Sequence, residues 1–270
     1  MEVVILIDSH CHVEWKSYDS DRDALVAKWK KGLKAVISSC SRPHDFDKAL
    51  AFPSKYPGFV FLTAGFHPEF MKEVSEKDKT AYLGKIRKNK NKIVAIGEIG
   101  LDYDWIKEPA EQERSRQLFE EMLTLAKELN LPVVIHSRNS HKDVLDILEK
   151  HQMSKVYLHM WGGHQEEFLK RVLDAKYFVG VNTIVFTSKN YKKVVRDVPL
   201  DRLLLETDAP WLALKKDGDA YKIDSQARNE PTNIKLVSEK IAEIKGVPFE
   251  TIWKTCGANA VRFYSLPLSL

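Results

Sequence analysis

The chain has 270 residues, of which 44% are hydrophobic and 30% are charged, and its formal net charge is +4. This length suits one large globular domain or two small ones, and a single α/β barrel of about 250 residues fits it. The charge is too weakly basic to establish a nucleic-acid partner by itself. The three cysteines, Cys11, Cys40 and Cys256, are far apart and odd in number. They argue against a cysteine-rich zinc site or a disulfide framework, and for a reducing compartment.

Two further features of the sequence bear on location. The chain does not open with a basic segment followed by a cleavable apolar stretch, and no apolar run approaches the roughly 18 residues of a membrane helix. We therefore expect a cytoplasmic protein that has no signal peptide and does not enter a membrane.

Short apolar runs alternate with segments of helical periodicity along the whole chain. Predicted strands cover residues 3–7, 35–39, 59–64, 93–96, 132–135, 155–158, 177–181 and 202–205. Predicted helices cover residues 23–32, 43–55, 75–90, 110–130, 142–150, 165–175, 191–198, 232–245 and 248–263. The long polar segment 215–229 is expected to be a loop that reaches over the active face.

Eight strand–helix alternations predict a parallel sheet that closes into an α/β fold of the (β/α)8 TIM barrel type, with one domain over residues 1–270. An open doubly wound sheet is the rival. It would usually carry a glycine-rich phosphate loop after the first strand, where this chain has His10, Cys11 and His12 instead.

Polar side chains gather after the predicted strands, at the end that forms the active face of such a barrel. His10 and His12 alternate along one strand end and therefore point to the same side. The candidate metal ligands are His10, His12, Glu98, His136, His159 and Asp208. Taken singly, each has an ordinary explanation, such as a core histidine, a helix cap or a turn residue. One shared metal centre satisfies all of these polar groups together.

The type of ligand leaves zinc, manganese, iron and magnesium open. Six candidates exceed one tetrahedral site, so we expect two divalent ions roughly 4 Å apart. Glu98 lies between the two ligand sets in strand order and is the expected bridge. Such a pair of ions generates a hydroxide nucleophile and stabilises the attacking and leaving oxygens of a phosphoryl displacement.

Seven stretches of the chain resemble the TatD family of metal-dependent deoxyribonucleases, which belongs to the amidohydrolase-like TIM barrels. They are DSHCH, GFHP, GEIGLDY, LPVVIHSR, LLLETDAPWL, RNEP and CGANAVRFY, in the family's order and over about residues 7–264. The resemblance implies hydrolysis of DNA phosphodiester bonds, often as a 3′-to-5′ exonuclease, with magnesium, manganese or zinc. The implied partner is DNA, as single strands or 3′ ends, and we expect a monomer.

The resemblance also implies a role for each candidate. One ion would be held by His10, His12, Glu98 and Asp208, and the second by Glu98, His136 and His159. Asp208 would also orient or deprotonate the attacking water, and His67 would contact the scissile phosphate. Arg138 and Arg228 are further candidates for phosphate contacts. The alternative for Arg228 is an ion pair with Glu230 that only fixes a loop.

The chain departs from the family pattern after the sixth predicted strand, where Met160 and Trp161 follow His159 and no hydroxyl residue follows. This leaves substrate contacts there open. Phe66 and Trp161 either stack on nucleobases or pack at the rim.

Two other functions compete with the nuclease. One is a barrel amidohydrolase that acts on a cyclic amide, an ester, a deaminable base or a small phosphoester. Many such enzymes bridge their metals with a modified lysine at strand four, where this chain has Glu98. The other is a non-catalytic binding barrel, which should lack a ligand, whereas none is missing here. The choice among DNA, RNA and a small phosphoester stays open.

Overall fold

The computed structural model describes residues 6–218 and 220–269, and its centre is a barrel of parallel strands. The eight strands are β1 Ile7–Cys11, β2 Ala35–Cys40, β3 Val60–Ala64, β4 Ala95–Asp102, β5 Val133–Arg138, β6 Val156–Leu158, β7 Phe178–Val181 and β8 Leu203–Leu205. They pair side by side in chain order, and every pair is parallel. The predicted (β/α)8 barrel is therefore confirmed.

Backbone and side-chain hydrogen bonds join β8 to β1. The amides of Thr207 and Asp208 donate to the carbonyl oxygen of His10, at 3.4 and 3.0 Å. The buried Asp8 carboxyl accepts from the amide and the hydroxyl of Thr207, at 3.1 and 2.5 Å. The segment after the last strand is thus held beside the end of the first strand.

Helices surround the strands. They are α1 Arg22–Trp29, α2 Phe46–Ala49, α3 Phe52–Lys55, α4 Glu76–Lys88, α5 Pro109–Leu129, α6 His141–Lys150, α7 Glu166–Asp174, α8 Lys189–Asp197, α9 Ile234–Lys245 and α10 Phe249–Tyr264. The longest, α5, begins with a proline and ends before Asn130, whose φ of 54° is left-handed, as sequence rules for helix ends predict. In the described part of the chain, no helix has both the length and the apolarity needed to cross a membrane.

Apolar side chains form two cores. The larger one lies between the strands and the helices. The smaller one takes residues from most of the strands, for example Ile37, Val134 and Leu204, together with Phe263 of α10. Side chains from so many strands can meet only inside the barrel. The interior is therefore filled, and polar side chains concentrate at its C-terminal end.

Several predicted boundaries are wrong. The helix predicted over 43–55 is split into a 3-10 turn, α2 and α3, because Pro53 cannot donate the backbone hydrogen bond that a continuous helix requires. Strand β4 runs six residues beyond its predicted end at 96, to Asp102, so Glu98 lies within it. Strand β1 begins where its prediction ends, and residues 3–5 of that prediction lie outside the described residues.

The segment predicted as a loop over 215–229 contains an antiparallel hairpin, β9 Ala213–Asp217 and β10 Ala220–Asp224. Asp217 pairs with Ala220 at the end of the hairpin, and Gly218, whose φ is 59°, begins the turn between them, where a positive φ favours glycine. Tyr221 of the hairpin packs on Phe186, with ring centroids 4.8 Å apart. None of the described hairpin residues lines the cavity described below, so the expectation that this segment reaches over the active face stays a prediction.

Candidate metal centre

The first group of predicted ligands meets where β1 and β8 end. The Nε2 atoms of His10 and His12 lie 3.2 Å apart. Both face Oδ1 of Asp208, at 3.6 Å from His10 and 3.3 Å from His12. Ligand atoms of these three residues all lie within 4.8 Å of one another, which is close enough for one metal ion.

The second group meets around the Glu98 carboxylate. Its Oε1 lies 3.0 Å from Nδ1 of His136 and 3.7 Å from Nε2 of His159. Its Oε2 lies 3.4 Å from Nε2 of His10, in the first group. One oxygen of Glu98 therefore faces each group, as a bridging carboxylate requires, and the six predicted ligands converge on one centre.

Each of the four histidines predicted as ligands has a hydrogen-bond partner on the ring nitrogen that faces away from the centre. The pairs are His10 with Ser39 at 3.3 Å, His12 with Glu14 at 3.3 Å, His136 with Asp102 at 2.9 Å and His159 with Glu206 at 2.7 Å. Such outer partners fix the tautomer and the ring orientation of metal-binding histidines. The outer partners direct Nε2 of three histidines, and Nδ1 of His136, toward the centre.

Glu206 is a buried carboxylate to which the sequence assigned no role. Its Oε2 accepts from His159 and from the Tyr157 hydroxyl, and its Oε1 accepts from the amide of Met160 at 2.9 Å. Because it contacts Nδ1 of His159, it lies on the outer side of that ring and orients it. Gly180 makes room for it, since a Cβ at Gly180 would lie 2.5 Å from Oε2.

Electrostatics favour anionic carboxylates in the centre. Burial alone would raise the pKa of Glu98, but His159 and His10 outweigh it and hold that pKa well below its usual range. The pKa of Asp208 is lowered for the same kind of reason, chiefly by the hydrogen bond from His12 and by His159, against the effect of burial. Burial alone would lower the pKa of His136 and of His159. Around His136, Asp102 and Glu98 outweigh burial and raise its pKa to about 9. Around His159, Glu206 and Glu98 have the same effect and also raise its pKa to about 9. Positive charge is therefore favoured at this centre.

His67 lies beside the second group. Its Nδ1 accepts from the amide of Glu69 at 3.2 Å, so the neutral ring carries its proton on Nε2, which is 3.8 Å from Glu98 Oε1. Burial, with His136 nearby, lowers the His67 pKa to about 3. The ring is therefore a neutral N–H donor directed into the site.

The ligands open onto a cavity of about 390 Å³. The Asp208 side chain is 14% exposed, whereas that of Glu98 is 5% exposed. Arg138, predicted to contact phosphate, lines this cavity and pairs with Asp104 at 2.8 Å.

Arg228 does not line the cavity, which gives its predicted phosphate contact no support. Its guanidinium donates to the Ser17 carbonyl and to the Asp21 carboxylate, at 2.6 to 2.9 Å. The alternative pair with Glu230 is wrong, because Glu230 accepts from Lys28 and from the indole of Trp29. Arg228 fixes a loop, but through a partner that the sequence did not indicate.

The aromatic side chains at the cavity differ from those predicted. Phe66 is 3% exposed and Trp161 is fully buried, so neither can stack on a nucleobase. Trp105 and Trp211, which had no predicted role, line the cavity and are 60% and 39% exposed. Their position in the sequence could have indicated a role at the site, because each follows a segment that carries predicted ligands within a few residues.

A parallel barrel whose strand ends present a buried histidine–carboxylate cluster is the arrangement of metal-dependent hydrolases. The model of the family described as TatD related DNase matches residues 7–265. The chain therefore belongs to the TatD related DNase family, and it is an enzyme of the hydrolase class.

Similar proteins agree with this assignment. Deoxyribonuclease TATDN3 of Homo sapiens is 32% identical over 268 residues, which cover 96% of this chain and 94% of that protein. The 3′-5′ ssDNA/RNA exonuclease TatD of Erwinia billingiae is 30% identical over 256 residues, which cover 93% and 95%. The crystal structure of YJJV, a TatD homologue from Escherichia coli K12, superposes with a TM-score of 0.85 at 26% identity, covering 97% of this chain and 98% of its own.

Proposed function

We propose that this protein hydrolyses DNA phosphodiester bonds as a 3′-to-5′ exonuclease, with two divalent ions, magnesium, manganese or zinc. The observation that carries the proposal is the Glu98 carboxylate, whose two oxygens face two different groups of ligands. The relatives support the substrate class, since one is named a deoxyribonuclease and another a 3′-5′ ssDNA/RNA exonuclease.

The donor set fits two such ions. His10, His12 and Asp208 with Glu98 would hold one, and Glu98 with His136 and His159 would hold the other. The imidazoles are oriented by outer hydrogen bonds, and the pKa of both central carboxyls is lowered. When bound, the two ions would activate a water and offset the negative charge that develops on the phosphate oxygens.

The chain's own groups complete the reaction. Asp208 is the more accessible of the two central carboxylates, and it would orient the attacking water and accept its proton. The Nε2–H of His67 would donate to a non-bridging phosphate oxygen, because its other nitrogen is already occupied by the Glu69 amide. Arg138 would leave Asp104 and pair with the same phosphate.

The test is digestion of single-stranded DNA that carries a label at the 3′ end or at the 5′ end. The metal-free protein and the protein with magnesium, manganese or zinc are compared with Glu98→Gln and Asp208→Asn. Glu230→Gln is the control, because that carboxylate lies outside the cavity. We expect metal-dependent stepwise loss from the 3′ end, and a loss of rate of about 100-fold or more in both site variants.

A folded, metal-loaded protein that leaves DNA and RNA intact would contradict the proposal. The amide, ester and small phosphoester substrates of the amidohydrolase alternative would then be tested. We also propose that residues 1–270 form one TatD-like domain, that the protein is a monomer and that it acts in the cytoplasm. These three points rest on the sequence expectations above.

A further inference from the structure

Exposed aromatic surface is concentrated at the mouth of the metal cavity. Within residues 6–218 and 220–269, only two large hydrophobic side chains are exposed, Trp105 and Trp211. Both line the cavity that holds the ligands. Surface hydrophobic residues that are scattered singly need no explanation, but two indoles at one site indicate a binding surface.

Trp211 lies against the first group of ligands. Its ring stands edge-on to His12, with centroids 4.7 Å apart, and packs against Trp15 at 4.9 Å. The guanidinium of Arg42 lies 5.2 Å from the Trp15 ring on this side of the cavity. Packing of this kind fixes the Trp211 indole while 39% of the residue stays open to solvent.

Trp105 lines the cavity from the loop that follows β4, and its backbone is linked to the second group through Asp102. One oxygen of Asp102 accepts from the amides of Asp104 and Trp105, at 2.8 and 3.0 Å, while its other oxygen holds His136. The backbone of this loop is therefore tied to a ligand histidine. The indole itself is 60% exposed, so a loop held by these hydrogen bonds presents an aromatic side chain to solvent at the cavity.

We infer that Trp105 and Trp211 are two stacking platforms, one beside each ligand group, for the two nucleobases that flank the scissile phosphate. The inference rests on the proposed function, which puts that phosphate at Glu98, between the two groups. The bases on either side of the phosphate would then extend toward opposite walls of the cavity. An indole can stack on any of the bases, and it needs a base that is unpaired.

This arrangement predicts that the protein prefers single strands to duplexes and accepts strands of any base sequence. A base within a duplex is paired and already stacked on its neighbours, so it would have to be extracted before it reached either indole. A single strand offers both bases directly.

The test measures kcat/KM for Trp105→Ala and Trp211→Ala with metal-loaded protein on short single strands. The strands are intact, or they carry one abasic site on either side of the cleaved bond. We expect each variant to lose about 5- to 150-fold on the intact strand, since stacking on one base contributes about 1–3 kcal/mol. The loss should shrink to about twofold or less on the abasic strand that lacks the base on which the replaced tryptophan would stack.

Further variants separate stacking from structural effects. Phenylalanine at either position should restore most of the rate, because it keeps an aromatic face, whereas leucine should not. Tyr221→Ala is the control, since this half-buried ring packs on Phe186 outside the cavity. Unchanged rates in both alanine variants, or equal losses on intact and abasic strands, would overturn the inference.

Binding of the same fluorescein-labelled strands, followed by anisotropy, separates this inference from the proposed function. One outcome is that the wild-type protein binds the strands without cleaving them, while each alanine variant binds intact strands more weakly than wild type and abasic strands equally well. In that case the nuclease proposal fails and the stacking platforms stand. If cleavage occurs and neither tryptophan affects rate or binding, the platforms fail and the nuclease stands.

Discussion

Replacing Glu206 with glutamine should weaken metal binding although it removes none of the predicted ligands. Glu206 is fully buried and accepts three hydrogen bonds, from His159, Tyr157 and the amide of Met160. A glutamine side chain has the same shape but only one acceptor oxygen, and its NH2 group can only donate. The three donors cannot all be satisfied by it.

The geometry limits glutamine to two poor arrangements. If its NH2 takes the place of Oε2, Nδ1 of His159 must accept, and the ring proton moves to Nε2, where it blocks the metal. If its NH2 takes the place of Oε1, it meets the Met160 amide, and two buried donors face each other. An unsatisfied buried donor costs about 1–3 kcal/mol, and loss of an outer partner typically lowers metal affinity about 10- to 100-fold.

The assay is a competition titration of the metal-free protein with divalent metal against a chelator of known affinity, together with urea unfolding. We expect metal affinity to fall about 10- to 100-fold, or the free energy of unfolding to fall by about 1–3 kcal/mol, according to which arrangement is adopted. Glu230→Gln, remote from the centre, should leave metal affinity unchanged. Wild-type values of both affinity and stability in Glu206→Gln would refute the assigned role.

Three other outcomes are expected. Gly180→Ala forces a Cβ to within 2.5 Å of the same buried carboxylate, so urea unfolding should show a loss of about 1–3 kcal/mol; wild-type stability would contradict the close approach. The pKa of His136 and His159 is raised to about 9, so their stabilisation of the metal-free protein is complete below about pH 6.5 and is lost as pH rises through about 9. Over that interval Tm should fall and metal affinity should rise, because protons and metal compete for the same nitrogens; a flat Tm with constant affinity would exclude this. Arg138→Ala should raise KM for DNA about tenfold, as for a lost charged hydrogen bond, whereas Arg228→Ala should leave KM unchanged and lower Tm; the reverse pattern would exchange their roles.

The ligand groups could be predicted from the sequence because strand geometry leaves little freedom. His10 and His12 must share one side of a strand, and the C-terminal ends of parallel strands must meet at one end of a barrel. Glu98, His136 and Asp208 follow from the same rule. The rule depends on backbone topology alone, so it holds although β1, β4 and β5 end three to six residues later than predicted.

The surroundings of the ligands could not be predicted, because they depend on loop paths and rotamers. Phe66 and Trp161 stand beside ligand motifs in the sequence, yet both turn into the core, whereas Trp105 and Trp211 turn out to solvent. Nothing in the residue types separates the two pairs. Glu206 illustrates the same limit, because only the three-dimensional structure shows which ring nitrogen it contacts.

The carboxylates around the four histidines predicted as ligands explain why protons and the proposed metal ions would be alternatives here. Glu98 and Asp208 lie in the centre, and Glu14, Asp102 and Glu206 hold histidines from outside. Five formal negative charges thus surround four imidazoles, which are neutral when they bind metal. In the metal-free protein, protons on the histidines offset part of this charge, as the raised pKa of His159 shows. The proposed pair of divalent ions would bring four positive charges and could balance most of these carboxylates while the imidazoles stay neutral, whereas a single ion would bring two and leave the remaining charge to protonated histidines.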